Sequence, residues 1–153
     1  MSTINANRPT RLAASLFTKY LVDLVGFAVN RYKISIEELA IIALVFTEST
    51  RALREDPDLA RNFGFEREGL PNKYRPTVSL KDVYTTLGLS RETTRRKLER
   101  LVERGFLVRL ENRYFFALPP SGEEFSSDFR SVLLDRLGMI VSEADQLRVP
   151  AKV

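Results

Sequence analysis

Residues 89–109 read LSRETTRRKLERLVERGFLVR. Six arginines and one lysine crowd this stretch, yet leucines and a valine recur through it at helical spacing. On a helical wheel Thr94, Leu98, Leu101 and Val102 fall together as a core-facing stripe, with Thr93, Arg96, Arg100 and Glu103 opposite them. Arg91 and Arg95 flank the start. Ser90 is placed to cap the helix, because a serine oxygen accepts from a free first-turn amide. Gly105 ends it, because glycine takes the left-handed backbone without a steric cost. The spacing therefore predicts a helix from Arg91 to about Arg104.

The same signals extend in both directions. Upstream, Ser79 caps LKDVYTTL, whose Leu80, Val83, Tyr84 and Leu87 share a face, and Gly88 stops it. Helix, three-residue turn with glycine, helix is the layout of a helix-turn-helix. Downstream the period shortens. FLVRL, then ENR, then YFFAL reads as two short strands around a tight polar turn, a hairpin of wing size, with Asn112 suited to a positive φ. Pro119 and Pro120 stop it.

Farther out, residues 1–9 form a polar tail, and Pro9 and Thr10 suit a helix start. Residues 10–34 then read as a long helix. Leu16, Tyr20, Leu24 and Ala28 make one apolar ridge, and Phe17, Leu21, Val25 and Val29 the next. So wide a stripe suits either core or a face shared with a second subunit. Ser35 and Glu38 spell a capping box before IEELAIIALVFTEST, a nearly all-apolar helix expected at the centre of the fold. Residues 51–78 hold three of the seven prolines and read as a long irregular connection, with a short helix near Asp58 to Asn62. From Ser121 to Leu147 the pattern is helical again, on Phe125, Phe129, Val132, Leu133, Leu137, Ile140 and Val141. The expected fold is mainly α with a small β-hairpin: a tail at 1–9, a terminal helix at 10–34, a winged helix at 35–118 and a terminal helix and tail at 119–153.

The chain carries 24 Lys and Arg against 20 Asp and Glu, a formal +4. Residues 91–113 hold eight basic and four acidic side chains, and the rest of the chain sixteen of each, so the whole excess lies in the helix and hairpin. With no Cys and no His, thiolate metal sites, cysteine nucleophiles and imidazole bases are excluded. No phosphate-loop or nucleophile-elbow motif is present. No enzyme activity, metal or cofactor is expected. The longest apolar run, LAIIALVF, has eight residues, too few to span a bilayer, so no membrane partner is expected and a cytoplasmic location is.

A basic helix face beside a hairpin points to double-stranded DNA. Ser90, Arg91, Thr93, Arg95 and Arg96 occupy the exposed helix start, with Arg100 behind them and Arg109, Asn112 and Arg113 on the hairpin. Each also has a plainer role. Ser90 is a cap, Arg96 can pair with Glu92, and Asn112 and Arg113 can be ordinary turn residues. Lys73, Arg75 and Lys81 could extend the basic surface.

Residues 78–118, VSLKDVYTTLGLSRETTRRKLERLVERGFLVRLENRYFFAL, resemble the winged helix-turn-helix of bacterial transcription regulators. The layout is MarR-like, and GntR-like proteins share much of it. The resemblance implies a recognition helix from Ser90 to Arg104, a wing tip at Glu111 to Arg113, and a first winged-domain helix from Ser35. It also implies that the two terminal helices form a homodimer. A homodimeric regulator would place two recognition helices in successive major grooves, about 34–36 Å apart. Phe17, Tyr20, Phe27 and Phe129 could line a pocket for a small-molecule effector, or simply be core. The alternative function is a winged protein–protein module whose basic face docks an acidic partner.

Overall fold

The computed structural model describes residues 11–64, 71–116 and 123–146, with side chains described at all of these except 72, 123–130 and 144–146. The N-terminal tail, the Pro119–Pro120 stop and the Phe125 and Phe129 side chains lie outside the described residues. The helices are α1 (Arg11–Tyr32), α2 (Ile36–Ser49), α3 (Arg51–Glu55), α4 (Pro57–Phe63), α5 (Leu80–Leu87), α6 (Arg91–Glu103) and α7 (Glu123–Gln146). The strands are β1 (Val78–Ser79), β2 (Leu107–Leu110) and β3 (Arg113–Phe116). The protein is thus mainly α with a small antiparallel sheet, in a layout compatible with a winged helix. The chain divides into two compact units. One contains α2 to β3, the other α1 and α7 from Asp128 onward.

In the larger unit, caps fix the helix starts. Glu38 N donates to Ser35 Oγ at 3.1 Å, and Ser35 N donates back to Glu38 Oε2 at 2.8 Å. This reciprocal box satisfies two amides that would otherwise lack helical partners. The helix it starts buries Leu39, Ile41, Ile42 and Val45, as its apolar sequence requires. Ser79 and Asp82 build a second box at α5. Gly88 (φ 68°) and Gly105 (φ 79°) both take the left-handed region, as the sequence predicts.

The connection after α2 holds the short helix expected near Asp58 to Asn62, as α4, and one outside that expectation, α3. Asp56 separates them, its Oδ1 accepting from Asp58 N at 2.9 Å and from Leu59 N at 3.3 Å. Pro57 follows at the first helical position, where its fixed φ suits a helix and its missing N–H costs nothing.

The hairpin forms as read, and a third strand joins it. The strand order is β1-β3-β2, all antiparallel, with Tyr114 facing Val78 on one side and Arg109 on the other. Leu110 pairs with Arg113 across a two-residue turn, Glu111–Asn112. The positive φ falls on Glu111 (55°) and not on Asn112. Arg109 Nε binds the Glu111 carbonyl at 2.7 Å, which helps fix that geometry. One sheet face carries buried Leu107, Tyr114 and Phe116. Against it packs α2: Phe46 meets Phe116 edge-on at 5.1 Å, and Phe116 N donates to buried Ser49 Oγ at 3.2 Å. From the helix pair, Val83, Leu98 and Leu101 complete the core.

In the smaller unit the wide stripe on α1 splits. On the first ridge Tyr20 and Ala28 are buried and Leu16 and Leu24 half-buried. On the second, Phe17 and Leu21 stay exposed, as do Leu12 and Val22 beside them. Facing helix α7 likewise exposes Leu134, Leu137, Met139 and Val141. The two helices meet where Tyr20 Oη donates to Glu143 Oε1 at 2.6 Å. Among the described residues α1 is also the one helix long and apolar enough to cross a membrane, with mean hydropathy 1.6 over an 18-residue window. Counting uninterrupted apolar residues misses this, because Lys19 and Asp23 break the run without breaking the helix.

Candidate nucleic-acid interface

The arginine-rich helix is anchored before it can present anything. Ser90 Oγ accepts from Thr93 N at 3.1 Å, and Thr94 Oγ1 donates to the Ser90 carbonyl at 2.9 Å. Buried Thr94, Leu98 and Leu101 lock the inner face. The outer face is then fixed in orientation, with Arg91, Glu92, Arg95, Arg96 and Arg100 exposed.

Much of its positive charge is already matched. Arg95 lies between two carboxylates. Its Nε and Nη2 donate to Glu92 Oε2 and Oε1 at 3.0 and 2.7 Å, and its Nη1 to Glu99 Oε1 at 2.6 Å. These bonds hold the Arg95 proton more tightly than usual and the Glu92 carboxyl below its ordinary range. Farther along, Lys97 Nζ reaches Glu37 Oε2 at 3.1 Å and Ser35 Oγ at 3.2 Å. Arg100 Nη1 donates to Glu38 Oε1 at 3.0 Å. Arg100, expected at the DNA surface, is therefore tied to α2. Arg96 is 68% exposed, its Nε 3.7 Å from Glu92 Oε1.

Two flanks result. On one, a groove of about 530 Å³ between α6 and the hairpin is lined by Lys81, Arg91, Arg95 and Arg109, with Glu99 as its acid. Asn112, Tyr84 and Tyr114 complete its wall. On the other, a depression of about 290 Å³ joins Thr93, Arg96, Lys97 and Arg100 above Glu38. The structure thus brings Arg91, Arg95, Arg109 and Asn112 together, and Thr93, Arg96 and Arg100 together, with Ser90 serving as the cap. Arg113 stands apart. It is the first residue of β3, and it donates to Thr77 Oγ1 at 2.6 Å and to the Thr77 carbonyl at 2.8 Å, with Asp82 at 3.9 Å.

Of the three outlying cations, Lys81 lines the groove. Arg75 instead donates to the Phe116 carbonyl and lies over the Phe115 ring at 4.9 Å, where burial lowers its pKa. Lys73 lies over the Tyr74 ring at 4.7 Å. The groove's significant feature is a pair of cations in unfavourable places. Lys81 is the second residue of α5 and Arg91 the first of α6. A cation at a helix start opposes the helix dipole, at a cost of about 0.3–1 kcal/mol. Among the described residues neither side chain makes an ion pair or hydrogen bond, and each acts only through space on the carboxylate beside it, Lys81 on Asp82 and Arg91 on Glu92. No protein-family model, curated protein or solved structure matches this chain.

Proposed function

We propose that this protein is a sequence-specific, DNA-binding transcription regulator that acts as a homodimer through a winged helix-turn-helix, MarR-like in layout. The observation that carries the reading is the groove between α6 and the hairpin, where Lys81 and Arg91 make no direct ion pair among the described residues and stand beside Arg109. Cations placed against two helix dipoles without a direct ion pair favour an anion from outside the chain. A phosphate backbone supplies one every few ångströms. With that backbone along the groove, the leading residues of α6 meet base edges in the major groove. Arg96, exposed on the other flank, suits a bidentate contact to guanine. The exposed apolar residues of α1 and α7 supply a surface for the second subunit.

The test is retention of fragmented genomic DNA by the purified protein at two salt concentrations, with sequencing of what is retained. A narrow set of fragments sharing an inverted repeat at both salts is the expected result. Uniform retention that vanishes at the higher salt reduces the surface to a non-specific polyanion site. No retention at either salt overturns the reading and favours an acidic protein partner.

A further inference from the structure

An acid stands where a phosphate-binding surface would have none. Glu92 is the second residue of α6, between Arg91 and Thr93, and its side chain is 61% exposed. A carboxylate beside a DNA backbone is repelled by it, although the helix dipole favours an acid in the leading turn. Holding Arg95 is only part of its role, because Glu99 already holds the same guanidinium from the next turn.

We infer that Glu92 determines sequence specificity by accepting a hydrogen bond from the amino group of a cytosine in the major groove. The inference rests on the DNA reading above and names part of what that surface reads. The fork from Arg95 uses one acceptor position on each carboxylate oxygen, at 2.7 and 3.0 Å. A carboxylate has about four such positions, so each oxygen keeps one to offer. The same fork fixes the carboxylate's orientation, so little side-chain freedom is lost on contact. Arg95 and Arg96 keep it ionised, and an ionised carboxylate only accepts. Among the four bases, guanine and thymine turn acceptors toward the major groove and would repel it. Adenine offers an amino group with an acceptor beside it. Cytosine alone offers a donor with no acceptor on the same base edge.

The test is selection of binding sites from a randomised duplex library by the wild-type protein, Glu92→Gln and Glu99→Gln. The wild type is expected to select a motif with cytosine fixed at one position of each half-site. Glu92→Gln should lose that preference by about five- to hundredfold and move toward adenine, because a glutamine amide both donates and accepts. Glu99→Gln removes an acid from the groove lining and should tighten binding to all sequences, but it should keep the cytosine preference, since it loosens Arg95 without touching the reading group. A wild-type motif that Glu92→Gln leaves unchanged overturns this inference alone. So does loss of the same cytosine in both variants, which would make Glu92 only a support for Arg95. A wild type that selects no motif overturns the DNA reading itself, and this inference with it.

Discussion

Arg100 reaches 62 residues back along the chain to place its Nη1 3.0 Å from Glu38 Oε1. Glu38 is 1% exposed and also accepts from Ser35 N, so one buried carboxylate serves both as the cap of α2 and as the anchor of α6. Removing the arginine leaves that charge short of a partner. Arg100→Ala should destabilise the fold by about 1–3 kcal/mol, read from urea unfolding. It should leave DNA sequence preference intact, because the guanidinium is held by Glu38 although its side chain is 53% exposed. An unchanged stability with an altered motif would reverse this assignment.

The cations of the two flanks should behave differently. Lys81→Ala and Arg91→Ala should each weaken binding to all DNA sequences alike and reduce the slope of log affinity against log salt by about 1. Arg96→Ala should cost about 1–3 kcal/mol on the preferred site and little on others. Fluorescence anisotropy on specific and scrambled duplexes over a salt series separates the two patterns.

Gly88 ends α5 at φ 68°, with open space where a Cβ would point. Its requirement is therefore conformational and not steric. Gly88→Ala should cost about 1–2 kcal/mol, seen as a lower denaturation midpoint with an unchanged slope.

Tyr20 should make stability depend on alkaline pH. Its phenol is raised above the ordinary 10.0, first because it donates to Glu143 and then because it is buried. A raised folded-state pKa gives a contribution that is fully present below about pH 10 and lost as the pH climbs through the shifted value. The stability difference between wild type and Tyr20→Phe should be constant at neutral pH and shrink above pH 10. A difference that stays level to high pH would contradict the assignment.

Exposed Val22 and Leu137, with their neighbours on α1 and α7, should drive self-association. The double variant Val22→Glu/Leu137→Glu should be monomeric by light scattering while its helical circular dichroism is kept. A wild type that is itself monomeric at micromolar concentration would remove the premise.

What could be read in advance follows from how local each determinant is. The Ser35–Glu38 box, the Ser79 and Ser90 caps and the Gly88 and Gly105 stops lie within four residues of what they control, and all stand where the sequence puts them. The hairpin is equally visible, since two short β-rich runs bracket a polar turn. Strand β1 was not, because two residues carry no period and its partner lies 36 positions away. The anchoring of Lys97 and Arg100 by Glu37 and Glu38 was hidden for the same reason. Each looked like surface charge until the fold brought α2 beneath α6. The short helix expected near Asp58 to Asn62 is α4, but α3 has no side-chain cap to mark it.

The short ladder between β1 and β3 has a kinetic consequence. Val78 pairs with Tyr114, so α5, α6 and β2 all lie inside one loop closed by that pairing. Closing a loop of this length costs entropy that the contacts within it must first offset. Zipping of β1 should therefore come late, after helix pair and hairpin have packed on one another, and β1 should be the first part of the sheet to open. In hydrogen exchange, amides of the β1–β3 pairing should open at a lower free energy than those of α6.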